Sequence, residues 1–189
     1  MREIYVGLGV VLGIIPQFMV MWGIYKKTMK LSFSTYFIWF VLNLIITVAS
    51  IVERGNYYLS LSFVVLNLLI ALMVLAAEKK VSFPVWERFL TVLCLICMGV
   101  WYATSGAYAV VAASLAVFIA GIPQFVVVYK NPKLTSSVVW LLATLAGLLA
   151  VLGGKEWSIA ERFYPTTFLL YACIGLLILF VRRQSVRLK

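Results

Sequence analysis

The chain has 189 residues, of which 65% are hydrophobic, and its mean hydropathy is +1.08. A soluble domain of this length has no use for so much apolar surface, so the composition excludes one and points to a membrane domain. The net charge of +10 suggests a nucleic-acid partner only until the basic residues are placed along the chain.

Apolar stretches long enough to cross a bilayer recur seven times, roughly at 4–25, 32–51, 57–77, 86–103, 107–129, 134–153 and 162–181. They leave room for a single membrane domain, 1–189, and for no soluble one. The first stretch lacks a small-residue cleavage site and is expected to be retained, not removed as a signal peptide. It carries Pro16-Gln17. Proline inside a helix donates no N–H and presses on the carbonyl four residues back, here Leu12. The second stretch opens at Ser32, an expected N-cap. It holds Trp39, Asn43 and Thr47. Asn43 lies eleven residues past Ser32 and falls near the midplane by the helix rise.

The third stretch holds Asn67, ten residues past Tyr57 and again near the midplane. The fourth is bland. Trp86 and Trp101 mark its ends as interfacial anchors, and Cys94 and Cys97 share one face as small apolar residues. The fifth carries Pro123-Gln124, where Pro123 frees the carbonyl of Ile119. The sixth opens at Thr135, a second expected cap, and holds Trp140 and Thr144. Trp39 and Trp140 are expected to pack helices. Thr47 and Thr144 are lesser candidates for lining a path, since threonine in a helix by default bonds its own backbone. The seventh holds Tyr171 and Cys173, with Pro165 near its start; Pro84 and Pro132 lie at other helix edges.

Placed on this scheme, the charge sorts by side. Lys26, Lys27, Lys30, Lys79, Lys80, Arg88, Lys130, Lys133, Arg182, Arg183, Arg187 and Lys189 fall on one side, and Arg2, Arg54, Lys155 and Arg162 on the other. Cationic loops mark the cytoplasmic face, which puts the N-terminus outside and the C-terminus in the cytoplasm. The basic tail is expected to meet anionic headgroups, and no nucleic acid is expected as a partner. A prokaryotic cytoplasmic membrane suits such a chain.

The sequence also repeats itself. Ile15-Pro16-Gln17-Phe18 returns as Ile122-Pro123-Gln124-Phe125, and Lys30-Leu31-Ser32-Phe33-Ser34 returns as Lys133-Leu134-Thr135-Ser136-Ser137. The two offsets differ by about one helical turn. The expected fold is therefore an all-α membrane protein of seven transmembrane helices. It contains two parallel three-helix repeats, 1–80 and 107–183, joined by a linker helix at 84–104.

With its paired Pro-Gln motifs, each followed by Lys-Leu-Ser/Thr at the next helix, the chain resembles the PQ-loop superfamily, which includes the SWEET sugar carriers. The resemblance covers nearly the whole chain. It implies alternating access, with Pro16, Gln17, Pro123 and Gln124 as hinges at the cytoplasmic mouth. The plainer reading is a static kink with glutamine joining helices. SWEET-type carriers have an asparagine in the third helix of each repeat, which Asn67 matches. In the second repeat Tyr171-Ala172-Cys173 stands there instead, so Tyr171 is the expected polar partner. The prolines that SWEETs place in helices 2 and 6 are absent from this sequence.

The expected substrate-binding residues are Asn67, Asn43, Tyr171, Thr47 and Thr144. Asn43 has an alternative, a bond to Asn67 that holds helices 2 and 3 together. There is no aspartate and no histidine, and Glu3, Glu53, Glu78, Glu87, Glu156 and Glu161 all fall at helix ends or loops. The spans thus offer no proton relay, and the expectation is passive facilitated diffusion of a small neutral polar solute, most simply a sugar. An enzyme is not expected, for want of a His or Asp to activate a nucleophile, and no metal or cofactor is expected. Partners are a small polar solute, membrane lipids and, in a homo-oligomer, further copies of the chain. The alternatives on the same fold are a carrier of another metabolite such as an amino acid, a non-transporting receptor, and a lipid-linked-sugar helper protein. A receptor should present a charged pocket.

Overall fold

The computed structural model describes residues 1–28, 31–78, 85–132 and 136–187. The expected cap at Thr135, the edge proline Pro84 and five of the basic residues (Lys30, Lys79, Lys80, Lys133 and Lys189) lie outside them. The described residues form eight helical segments and no strand: α1 (Arg2–Tyr25), α2 (Phe33–Val52), α3 (Tyr58–Glu78), α4 (Val85–Ala103), α5 (Gly106–Ala120), α6 (Ile122–Lys130), α7 (Ser137–Leu152) and α8 (Ile159–Arg187). A helix bonds its own backbone, which is what hydrocarbon demands of a spanning segment.

Six helices are long and apolar enough to cross a membrane, counting α5 and α6 as one. This makes the chain an all-helical, multi-pass membrane protein. The sixth expected span is the exception. It begins only at Ser137, after an extended Ser136, and ends at Gly153, so α7 has 16 residues. At the helix rise it covers about 24 Å, less than the ~30 Å hydrocarbon core.

The fifth expected span is interrupted at Gly121. The Gly121 N–H is shared between the carbonyls of Val117 and Phe118 at 3.1 Å each, and the Gln124 N–H bonds back only three residues to Gly121 at 2.9 Å. Pro123 thereby enters the first turn of a new helix, where its missing N–H costs nothing. Pro16, in contrast, is buried inside an unbroken α1. The two Pro-Gln pairs share a sequence but not a backbone.

Helix α1 packs on α3 and α7, and α5 packs on α8 and α2. Helix α2 also packs on α3, α7 packs on α8, and α4 rests against α5 and α2. Small residues permit the close approaches, as expected where lipid supplies no hydrophobic drive between helices. Ala109, Ala113, Ala116 and Ala120 are all buried on one stripe of α5. They adjoin Leu42, Ile46 and Ala49 of α2 in the main core. Large apolar residues such as Leu8, Trp22, Leu69, Ile96 and Leu177 are exposed and face outward.

Candidate functional site

A polar group sits in the middle of the packed helices. Asn43 is 2% exposed. Its amide donates to the Trp39 carbonyl one turn back at 2.8 Å, and its Oδ1 accepts from the Tyr164 hydroxyl of α8 at 2.6 Å. One turn further on, the Thr47 hydroxyl lies 2.7 Å from the Asn43 carbonyl and 2.9 Å from Ser60 Oγ of α3. Asn67 is equally buried, and its Oδ1 has no hydrogen-bond partner among the described residues. The alternative bond between Asn43 and Asn67 does not form; Asn43 pairs with Trp39 and Tyr164 instead.

Tyr171 belongs to a separate aromatic group nearer the α5–α6 bend. Its ring stacks on Phe125 with centroids 4.8 Å apart and tilts against Trp140 at 5.6 Å. Its hydroxyl points at the Gly121 carbonyl at 3.4 Å. A Cβ at Gly121 would strike the Tyr171 ring, and one at Gly175 would strike Trp140. Both glycines are thus set by ring packing. Thr144 bonds its own helix through the Trp140 carbonyl at 2.8 Å. No hydrogen bond joins Tyr171 or Thr144 to either asparagine.

The second Pro-Gln pair lines a cavity of about 300 Å³ between α2, α4 and the α5–α6 bend. Tyr36 and Trp39 form part of its wall, with Pro123 and Gln124 exposed at its edge. Glu87 also lines it and is only 5% exposed. The Ser34 hydroxyl donates to Glu87 Oε2, and the Thr35 hydroxyl donates to Oε1 at 2.6 Å. Pro16 is buried and Gln17 half-buried in α1, away from this cavity. Ser32 stands at the N-cap of α2 but makes no capping bond; its hydroxyl pairs with Ser34 Oγ at 2.9 Å.

Two of the glutamates placed at helix ends are nonetheless buried. Glu87 does fall at a helix end, in the first turn of α4, yet its carboxylate turns inward to the hydroxyls of α2. Glu161 is 4% exposed on the opposite side of the fold. It accepts from the Lys155 N–H at 3.0 Å and pairs with Arg2 at 3.8 Å. Beside it Arg162 donates to the carbonyls of Val151, Gly154 and Glu156, closing the free end of α7.

Sequence reasoning passed over Tyr164. Its signal was the seven-residue spacing to Tyr171, which puts both on one helix face. It also passed over Glu87, since a charge at a helix end reads as solvated. Among the described residues no three His, Cys, Asp or Glu side chains come together to hold a metal ion. No family model, curated protein or solved structure matches the chain.

Proposed function

We propose that this protein is a facilitative carrier for a small neutral polar solute, most simply a sugar. In this reading residues 1–80 and 107–183 are parallel three-helix repeats, and 84–104 is the linker helix between them. The N-terminus faces outward. One observation supports the reading: three of the main helix contacts have counterparts when α1, α2 and α3 are exchanged for α5–α6, α7 and α8, while α4 packs on one side only. The pair α1–α3 becomes α5–α8, α2–α3 becomes α7–α8, and α1–α7 becomes α5–α2. A two-fold arrangement of this kind lets two bundles rock about a site between them.

The site in this reading is the polar group around Asn43, Thr47, Tyr164 and Asn67. Asn67 offers the solute an unsatisfied amide oxygen. The Tyr164–Asn43 bond then links one bundle to the other. The α5–α6 bend at Gly121 supplies the more mobile hinge, and the unbroken α1 the stiffer one.

The test is uptake by proteoliposomes offered labelled sugars, amino acids and vitamins. Equilibration of one solute, without accumulation under a pH gradient, is expected. Absence of flux from folded, monodisperse protein would count against the carrier. It would favour the receptor, a reading supported by the buried carboxylate of Glu87 in its cavity. Retention of ligand without flux identifies that alternative.

A further inference from the structure

The carrier reading makes no use of the cavity at Glu87. Its two carboxylate oxygens are held by the hydroxyls of Ser34 and Thr35. These donors orient the carboxylate but, being neutral, do not cancel its charge. Among the described residues lining the cavity, Glu87 alone is charged. The rest of the wall is mostly apolar and includes three aromatic rings, those of Tyr36, Trp39 and Trp86, with the Gln124 amide at the edge. Tyr36 and Trp39 meet edge to face at 5.4 Å. The Trp39 indole N–H is buried with no acceptor among the described residues.

Each of these features selects a ligand property. A buried carboxylate is most stable when a counter-charge reaches it. Aromatic faces attract cations through the ring quadrupole. The volume of about 300 Å³ sits at the lower end of small-molecule pockets, roughly 300–1,000 Å³, and has room for about ten water-sized groups, which suits a small ligand. We propose that this cavity binds a small organic ammonium ion. Its ammonium pairs with Glu87 against the rings of Tyr36 and Trp39. A free organic ammonium ion and the headgroup of an ethanolamine lipid share this chemistry.

The proposal is independent of the carrier reading and is tested by binding, not flux. The full chain is placed in nanodiscs of phosphatidylglycerol and titrated with choline by calorimetry. Saturable binding is expected, weakened at least about tenfold in Glu87→Gln, since one partner of a buried charge pair is lost. Trp39→Leu should weaken it several-fold as well, and it decides the matter should Glu87→Gln fail to fold. Asn67→Ala should bind choline normally even if its uptake is lost, which separates failure of this site from failure of the carrier.

Choline binding of equal strength in Glu87→Gln and the parent overturns the proposal. So does competition by sorbitol as effective as by ethanolamine, or no saturation up to about 100 mM choline, a range too weak for a built site. Adding phosphatidylethanolamine to the nanodiscs identifies the source. A raised apparent Kd for choline marks a lipid headgroup in the cavity, and an unchanged one marks a free organic ammonium ion; both support the site.

Discussion

The hydroxyl of Tyr164 donates to Asn43 Oδ1 at 2.6 Å, joining α8 to α2 across 121 residues of chain. Both partners are buried, at 3% and 2% exposure. The bond therefore operates where water does not compete. Tyr164→Phe should leave the Asn43 oxygen unpaired and cost about 1–3 kcal/mol. Thermal unfolding in detergent measures this. The Tyr164→Phe and Asn43→Ala effects should be markedly non-additive, because both remove one bond.

Asn67 should behave in the opposite way. Its Oδ1 already lacks a partner among the described residues. Asn67→Ala should thus change stability by less than about 1 kcal/mol. In the carrier reading the same change abolishes uptake. Uptake and melting measured on one preparation test both halves, and undiminished uptake would remove Asn67 from the solute path.

Gly121 and Gly175 are held small by rings. Gly121→Ala should drive a Cβ into Tyr171 and destabilise by about 1–3 kcal/mol, the usual range for overpacking. In a Tyr171→Ala background the same change should be milder. An equal penalty in both backgrounds would show that the ring is not the cause.

The two prolines should differ in their effects. Pro16 lies in a continuous helix, whereas Pro123 begins one after the turn at Gly121. If hinges set the transport rate, Pro123→Ala should slow uptake more than Pro16→Ala. Equal rates for the parent and the double variant would exclude a hinge role for either.

Arg162 ties the C-terminal end of α7 to the loop that follows by donating to the carbonyls of Val151, Gly154 and Glu156. Arg162→Ala should return those groups to solvent. A loss of about 1–3 kcal/mol is expected, read as a lower unfolding midpoint.

Much of this architecture is legible in the residues alone. Six spans were readable because length and apolarity are local properties, and a helix satisfies its own backbone wherever it lies in lipid. Asn43 and Asn67 could be placed midway along their helices by counting from the helix starts. The short α7 and the break at Gly121 were less legible. Glycine and extended serine at the edges of an apolar run scarcely alter its hydropathy, yet they decide where the backbone bonds begin and end.

Side-chain partnership depended on the tertiary structure. Nothing near Asn43 in the chain names Tyr164 as its partner, and a glutamate beside Trp86 gives no sign of turning inward to Ser34 and Thr35. Hydropathy determines how deep a residue lies in the membrane and how many times the chain crosses. Which way a helix face turns, and which neighbour it meets, follows from the fit of small residues such as the alanine stripe of α5 against α2. That fit is a property of surfaces brought together from distant parts of the chain, so only the packed helices decide it.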